Sequence, residues 1–256
     1  MENHPYIKSL IPYDSSLNRW EYGQYYDTST TCRVHETRMA PHCIDHRSDI
    51  WAATVGVRLN NHNMHFPSIA KTSGNRVVFV PISSGMPEKD LTTSQITETV
   101  SGLRRMGYTV VGLHTHNQKI FTDLGVEQVI TQDMNLWMKT INECNCVITV
   151  DTAAFHYAGG IGKPLVGIFG FTKGVVYGKY YLNTMIVQGL CPFEREGCYN
   201  VTLCPKNKNE TIPCKQNLMV KEILEAFSNL IIRFPYIIYT SHKENKLIRT
   251  PLHLIN

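Results

Sequence analysis

The residues of this sequence best suited to chemistry stand where an apolar run meets a segment of small residues. The run Cys146–Val150 is apolar and β-branched, which is typical of a buried strand, and Asp151 and Thr152 follow it directly. Asp and Thr are favoured at helix starts, and His156 falls on the second turn of the helix that they predict. Because the first-turn N–H groups of a helix lack partners and attract anions, this junction suits a phosphate or a diphosphate.

A purely structural interpretation of the same residues is also open. Asp151 would then only cap the helix, and His156 would be a packed histidine. Each residue alone favours that interpretation. The pair, followed by Gly162-Lys163-Pro164 and the apolar run Leu165–Phe169, favours a site. The two runs predict parallel strands joined through the helix, and ligands of such sheets bind beyond the carboxyl ends of the strands.

A second predicted corner between a strand and a helix carries two hydroxyls and a cation. Arg76–Val80 predicts a strand, and helical spacing of apolar residues follows over 91–107. Between them stand Ser83, Ser84 and Lys89, which could grip a diphosphate. An ordinary polar turn would explain them as well. We favour a site, because the two corners share one cleft if their strands are parallel and adjacent.

The wider pattern predicts an α/β fold, with a parallel sheet covered by helices on both faces. Strands are predicted at 76–80, 109–113, 129–130, 146–150, 165–169 and, late in the chain, 184–187. Helices are predicted at 44–56, 91–107, 136–144 and 217–232, whereas 18–41 is expected to be loop with at most a short helix. Fold alone does not establish a reaction.

Length and composition narrow the class of protein. At 256 residues and 43% hydrophobic content, the chain can bury one full domain plus a smaller partner. The net charge of +4 is compatible with phosphate-bearing substrates but is no nucleic-acid signature. No apolar run reaches the roughly 18 residues of a membrane span, and the amino terminus has no signal-peptide pattern. We therefore expect a cytoplasmic protein, either free or peripheral at the inner membrane surface.

The eight cysteines are expected to be thiols or metal ligands rather than disulfides. Four of them crowd a turn-rich stretch and could hold a structural zinc: Cys191, Cys198, Cys204 and Cys214. Because their spacing contains no C-x2-C knuckle, bracing of a loop is the favoured interpretation. A second polar group lacks a regular ligand spacing and is interpreted as a solvated or cleft-lining face: His35, Glu36, Arg38, His42, Asp45, His46 and Arg47.

The segment Asp151–Thr172 also resembles a known family. Its pattern, Asp-Thr-Ala-x-x-His-x-Ala-x-x-x-Gly-Lys-Pro-x-Val-x-Ile-Phe-Gly-x-Thr, is similar to the nucleotide-sugar segment of family-9 glycosyltransferases, which include lipopolysaccharide heptosyltransferases. The resemblance extends from about Val77 to Cys214. It implies the GT-B architecture, two Rossmann-like domains with the donor held mainly by the second. The implied division is a partial acceptor-side domain at 1–70, a nucleotide-sugar domain at 71–234 and a tail at 235–256.

The resemblance also implies roles for individual residues. Those implied to bind the donor diphosphate are Ser83, Ser84, Lys89, Thr152 and His156. Asp151 would contact the donor sugar or fix its loop, and the nucleoside side is implied to be His114, Gln132 and Met134. No metal or other cofactor is obligatory in the family, so none is expected here. Asp90 and Leu91 depart from the basic and aromatic residues usual in relatives.

The activity implied is transfer of a sugar, with inversion, from a nucleoside-diphosphate sugar to a hydroxyl of a glycan or glycolipid. The family's general base lies in a stretch that this sequence lacks, so the base is unassigned, and Asp45 or Asp49 would be guesses. A non-catalytic nucleotide-sugar-binding module, or half of a split transferase that needs a second polypeptide, is the alternative. A nucleotide-sugar epimerase ranks third, because it would need acid and base residues in both domains.

Overall fold

A parallel sheet forms the centre of the molecule. The computed structural model describes residues 28–39, 43–60, 74–170, 172–190, 212–233, 236–240 and 247–251. The strands of the sheet are β1 (Arg76–Val80), β2 (Thr109–His114), β3 (Glu127–Ile130), β4 (Cys146–Val150), β5 (Leu165–Phe169) and β6 (Thr184–Gln188). All neighbouring strands pair in parallel, in the order β3-β2-β1-β4-β5-β6. The predicted strands are confirmed, and β3 begins two residues earlier than expected.

This strand order creates a crevice beside β1. The chain runs outward from β1 through β2 to β3, returns to place β4 on the other side of β1, and continues to β5 and β6. In the register of the central pair, Val80 lies opposite Thr149, so both strands end at the same edge. The loops that leave β1 and β4 diverge there, which is where ligands bind to open parallel sheets.

Helices flank the sheet and follow its strands. They are α1 (Thr28–Met39), α2 (Arg47–Thr54), α3 (Thr93–Arg105), α4 (Lys119–Asp123), α5 (Met134–Asn142), α6 (Ala153–Gly160), α7 (Gly174–Tyr177), α8 (Pro213–Gln216) and α9 (Val220–Arg233). A capping box between Thr92 and Gln95 starts α3, and Gly107, with φ +85°, follows its end. Among the described residues, no helix is both long and apolar enough to cross a bilayer.

Both faces of the sheet are buried, which explains why its strands are continuous apolar runs. Val77 and Phe79 of β1 join a core with α3 and α9, whereas Val78 and Val80 join a core with α5 and α6. Alternate side chains of an extended strand point to opposite faces, so a strand covered on both sides needs apolar residues at every position. The fold class predicted from sequence is confirmed.

The lysine of the Gly-Lys-Pro motif stabilises the fold at the opposite edge of the sheet. Lys163 is buried, and its Nζ donates a hydrogen bond to the carbonyl oxygen of Cys144 at 2.5 Å. Cys144 precedes β4 and Lys163 precedes β5, so both residues lie at the amino ends of these strands. Burial lowers the pKa of Lys163. The residue therefore ties two strand entrances together, far from the crevice.

Two parts of the chain differ from the sequence-based expectation. Residues 28–39 form a regular helix instead of a loop, with Cys32 and Glu36 buried one turn apart. The helix lacks a strong apolar period, which is why the sequence did not indicate it. In the tail, β7 (Tyr236–Thr240) and β8 (Leu247–Pro251) pair as an antiparallel hairpin. The division into domains at 1–70, 71–234 and 235–256 stays a prediction.

Candidate functional site

The two predicted corners meet at the crevice. Lys89 lies in a short 3-10 turn, Pro87–Lys89, between β1 and α3, and Asp151 follows β4. The Nζ atom of Lys89 lies 2.8 Å from Oδ2 of Asp151. Only 18% of the lysine side chain and 9% of the aspartate side chain are exposed, so the ion pair is largely removed from water. The two corners are therefore adjacent, and their shared use as a donor cleft stays a prediction.

Asp151 does not cap α6. Its Oδ2 also accepts a hydrogen bond from Oγ1 of Thr172 at 2.9 Å, and its Oδ1 lies 3.8 Å from Nε2 of His156. Thr152 occupies the N-cap position, but its hydroxyl pairs with that of Thr149 at 2.9 Å and makes no capping bond. The predicted capping by these side chains is therefore wrong. The first turn of α6 keeps N–H groups without a side-chain cap, and Asp151 links two loops instead.

His156 is neutral at physiological pH. Burial lowers its pKa to about 4, and the nearby cations Arg47 and Lys89 act in the same direction, against the opposing effect of Asp151. Its Nδ1 lies 3.1 Å from the hydroxyl of Tyr181, whose pKa burial raises to about 12. The imidazole can therefore serve the site as a hydrogen-bonding group but not as a fixed positive charge.

The hydroxyl of Ser83 shapes the β1 loop. It donates to the carbonyl oxygen of Met86 at 2.7 Å and accepts from the N–H of the same residue at 3.1 Å. The N–H of Ser83 donates to Oδ1 of Asp90 at 2.6 Å, so the aspartate that departs from the family pattern closes this loop. Ser84 is exposed at the tip. Both serines lie in the loop that carries Lys89, and their contacts with a donor stay a prediction.

Gln188 braces the third loop of the site, a role that the sequence did not indicate. Its Nε2 donates to the carbonyl oxygens of Phe169 and Thr172, each at 3.2 Å. Its Oε1 accepts from the N–H of Gly174 at 2.9 Å. These bonds hold Thr172 where its hydroxyl reaches Asp151. A glutamine at the end of a strand is too common in proteins to signal such a contact from sequence.

The start of α2 closes one side of the site. Arg47 makes two hydrogen bonds to the carboxylate of the buried Glu36, at 2.6 and 3.0 Å, and its guanidinium lies 5.1 Å from the ring centroid of Tyr177. Nε2 of His46 lies 3.2 Å from the carbonyl oxygen of Tyr177. The cleft-lining interpretation of this polar group is supported for Arg47 and His46, and Glu36 is a buried partner rather than a solvated residue.

The two aspartates considered as a base lie on the same side. Tyr180 donates a hydrogen bond from its hydroxyl to Oδ2 of Asp49 at 2.5 Å. Asp45 pairs with His35 through Oδ2 and Nε2, 2.8 Å apart. Neither contact identifies a base, so that role remains unassigned.

The structure does not bring the ring of His114 to the Lys89–Asp151 pair. The residue is 8% exposed, its ring packs against Phe121 with centroids 5.0 Å apart, and its Nε2 has no hydrogen-bond partner among the described residues. Gln132 and Met134 are exposed just beyond β3. The predicted nucleoside contacts of all three residues remain predictions. His114 is the last residue of β2, and its ring packs into the core.

His114 should make stability depend on pH. Burial lowers its pKa to about 4 from an ordinary value near 6.5, so the unfolded chain binds a proton that the folded chain excludes. Stability is therefore complete above pH 6.5 and is lost as the pH falls toward 4. Between pH 7 and pH 5 we expect wild type to lose about 2 kcal/mol more of unfolding free energy than His114→Leu. Urea denaturation measures this, with the exposed His116→Leu as control, and parallel curves for wild type and His114→Leu would contradict it.

Three of the four clustered cysteines, Cys191, Cys198 and Cys204, lie outside the described residues, as does His42. Cys214 belongs to α8 and is buried. A Cβ atom built on Gly170 would lie 3.3 Å from its sulfur, so this thiol packs beneath the loop that carries Thr172. This packing agrees with bracing of a loop, whereas the zinc alternative stays a prediction.

A groove of about 780 Å³ between α3 and α9 does not belong to this site. It is lined in part by Arg105, Met106 and Leu224, and it contains none of the residues at the carboxyl edge of the sheet. Its size alone gives it no chemistry, whereas the crevice combines a buried ion pair, a neutral histidine and an uncapped helix start. The crevice is therefore the candidate functional site.

The model of glycosyltransferase family 9 (heptosyltransferase) matches residues 57–206, more than half of the chain. The chain belongs to this family. No curated protein sequence matches it. The family-9 assignment confirms the resemblance seen in Asp151–Thr172 and agrees with the parallel sheet.

Solved structures of other glycosyltransferases share the fold. The family-9 glycosyl transferase from Veillonella parvula DSM 2008 is 14% identical, with a TM-score of 0.56, and the match covers 75% of this chain and 62% of that one. The iron-containing dodecameric glycosyltransferase TibC from enterotoxigenic E. coli H10407 is 17% identical, with a TM-score of 0.54, and the match covers 73% of this chain and 53% of TibC. TibC in complex with ADP-D-β-D-heptose is 16% identical, with a TM-score of 0.52 and coverage of 74% and 55%. The chain spans 48% to 62% of the length of five such structures.

Proposed function

We propose that this family-9 chain binds a nucleoside-diphosphate sugar in the crevice and transfers the sugar, with inversion, to an acceptor hydroxyl. The observation that carries the proposal is the contact between Lys89 and Asp151, which joins the loops after β1 and β4 where the strand order reverses. A partly buried cation beside an uncapped helix start is a favourable environment for a diphosphate.

The residues of the crevice would act on the leaving group. In a single displacement, the acceptor oxygen bonds to the anomeric carbon as the bond to the diphosphate oxygen breaks, and the acceptor proton passes to a base. Negative charge grows on the diphosphate, where Lys89, the first N–H groups of α6 and the Nε2 side of His156 would stabilise it. Asp151 would hold the ammonium of Lys89 in place before the donor arrives. The hydroxyls of Ser84 and Thr152 would add neutral hydrogen bonds.

This proposal needs no metal ion at the diphosphate. Lys89 and Arg47 would offset part of the donor's charge, since each of them also pairs with a carboxylate, Asp151 and Glu36 respectively. Exposed Gln132 and Met134 would contact the nucleoside. TibC was solved with ADP-D-β-D-heptose, so we propose an ADP-heptose as the first donor to test. We also propose the location expected from the sequence, which is cytoplasmic and either free or peripheral at the inner membrane surface.

A nucleotide-sugar-binding module without activity of its own is the second candidate. One observation favours it: Asp151, a carboxylate at the crevice, is paired with Lys89 and Thr172, and no base is assigned among the described residues there. In that case a second polypeptide would supply the remaining acceptor side and the base. The acceptor in either case would be a glycan or glycolipid hydroxyl.

Incubation of the purified chain with ADP-, UDP- and GDP-sugars distinguishes the two candidates. For a transferase we expect release of the nucleoside diphosphate, with transfer when an acceptor is present, and a rate that added Mg²⁺ leaves unchanged. Binding in calorimetry without release over hours would favour the module. Absence of binding to every nucleotide sugar and nucleoside diphosphate would contradict both.

A further inference from the structure

Three side chains with metal-binding atoms converge where α1 faces the segment that leads into α2. His35 lies on α1, and Cys43 and Asp45 precede α2. One ligand atom from each residue lies within 4.8 Å of the other two, and Nε2 of His35 is 2.8 Å from Oδ2 of Asp45. A nitrogen, a sulfur and an oxygen therefore surround one point.

We propose that His35, Cys43 and Asp45 bind a divalent zinc ion that ties α1 to the start of α2. Imidazole, thiolate and carboxylate are the ligands that zinc uses, and three protein ligands leave a fourth tetrahedral position for water. With metal–ligand bonds of roughly 2.0–2.3 Å, the ligand atoms of such a site lie about 3.5 Å apart. The sulfur of Cys43 must therefore approach the other two ligand atoms by up to about 1 Å, whereas Nε2 of His35 and Oδ2 of Asp45, now 2.8 Å apart, must move slightly apart. Rotation of the partly exposed His35 can supply this adjustment.

The ion would stabilise the attachment of α1 to the rest of the fold. In the described part of α1 only Cys32 and Glu36 are buried, so the helix has little apolar surface to hold it in place. The ion pair of His35 and Asp45 has exposed fractions of 37% and 43%, and such exposed pairs contribute little. A metal that binds only the folded arrangement adds its binding free energy to stability.

The chemistry of the three ligands balances the charge of the ion. Cys43 must lose its thiol proton to bind the ion. A thiolate and a carboxylate then match the two positive charges, and one proton is released for each ion bound. We therefore expect zinc affinity to increase with pH.

The ion would also position part of the donor crevice. Asp45 immediately precedes His46 and Arg47, and both of these contact Tyr177. Fixing Asp45 would limit the movement of the α2 start against α7. The ion itself would be held by protein ligands and would not bridge the donor's phosphates, so this inference stands whether or not the proposed transferase activity is found.

Metal content and cobalt spectroscopy of the full chain test the site. We expect zinc added to the metal-free protein to bind in one equivalent that His35→Ala, Cys43→Ser and Asp45→Asn each weaken by more than about 100-fold. Co²⁺ in its place should show a thiolate charge-transfer band that disappears in Cys43→Ser. The matched control is Cys32→Ser, which changes another buried cysteine close by on α1.

The clustered cysteines require a second control, because they are a separate candidate for zinc. Cys214→Ser should leave this equivalent and its cobalt band unchanged. If Cys43→Ser does not fold, the test uses His35→Ala and Asp45→Asn, which change partly exposed residues. Failure to bind zinc, or binding that these two variants leave unchanged, would overturn the proposal.

Discussion

Replacement of Lys89 by alanine is expected to weaken the binding of a nucleoside diphosphate by roughly 10- to 100-fold, because hydrogen bonds to charged groups contribute about 1.5–3 kcal/mol. Two effects combine. The phosphate loses a cation that is only partly exposed to water, and the carboxylate of Asp151 loses the partner 2.8 Å away that offsets its charge. Calorimetric titration with ADP, UDP and GDP measures the change.

Two further variants separate these effects. Lys119→Ala is the control, since this lysine is exposed and, among the described residues, pairs with Asp123 in the next turn of its helix. The affinity of this variant for the nucleotide should equal that of wild type. In the double variant Lys89→Ala, Asp151→Asn the uncompensated negative charge is gone, so part of the affinity should return. If Lys89→Ala binds the nucleotide as tightly as wild type, the diphosphate does not lie at this lysine.

Replacement of Asp151 by alanine is expected to lower the free energy of unfolding by about 3 kcal/mol, since breaking a buried ion pair leaves its partner uncompensated. Lys89 would keep its charge in a position with 18% exposure, and the hydroxyl of Thr172 would lose its acceptor. Asp151→Asn keeps an oxygen for Thr172 and should cost less. Urea denaturation at pH 7 measures both losses.

The matched control for this stability change is Asp123→Ala. Its partner, Lys119, has 87% of its side chain exposed, and exposed pairs at this spacing contribute about 0.3–0.5 kcal/mol. Equal losses in Asp123→Ala and Asp151→Ala would show that the crevice ion pair is not a structural link. A loss at Asp151 that disappears when Lys89 is also changed to methionine would attribute the cost to the stranded lysine.

The carboxylate of Asp151 connects the loops that form the site. Asp151 receives contacts from the β1 loop through Lys89 and from the β5 loop through Thr172, and the second contact depends on Gln188. One buried carboxylate thus connects three loops at one sheet edge. Because the same carboxylate holds the lysine proposed to bind the donor, its loss should reduce both stability and nucleotide affinity.

Local sequence patterns were sufficient to predict the strands and the two corners that carry Lys89 and Asp151. A strand buried on both faces is a continuous apolar run, and the start of a helix changes composition abruptly, so both can be recognised within a few residues. The family resemblance supplied what periodicity could not, namely the use of these corners for a nucleotide sugar. The match at 57–206 confirms the family assignment.

Other features followed from packing between distant segments. Asp151 has a residue type that caps helices, yet the distant Lys89 and Thr172 engage its side chain instead. The ring of His114 turned toward Phe121 because β2 lies inside the sheet with a core on that face. Lys163, in a motif at the crevice-forming segment, packed at the opposite sheet edge.

By itself, the sequence determined the strands of the sheet, the parallel α/β class and the two polar corners, because these depend on residues close together in the chain. Only the tertiary structure decided that β4 returns beside β1, that Lys89 pairs with Asp151, and that α1 is a helix. Each of these depends on contacts between residues far apart in sequence, whose free energies exceed the local preferences that a sequence pattern can show.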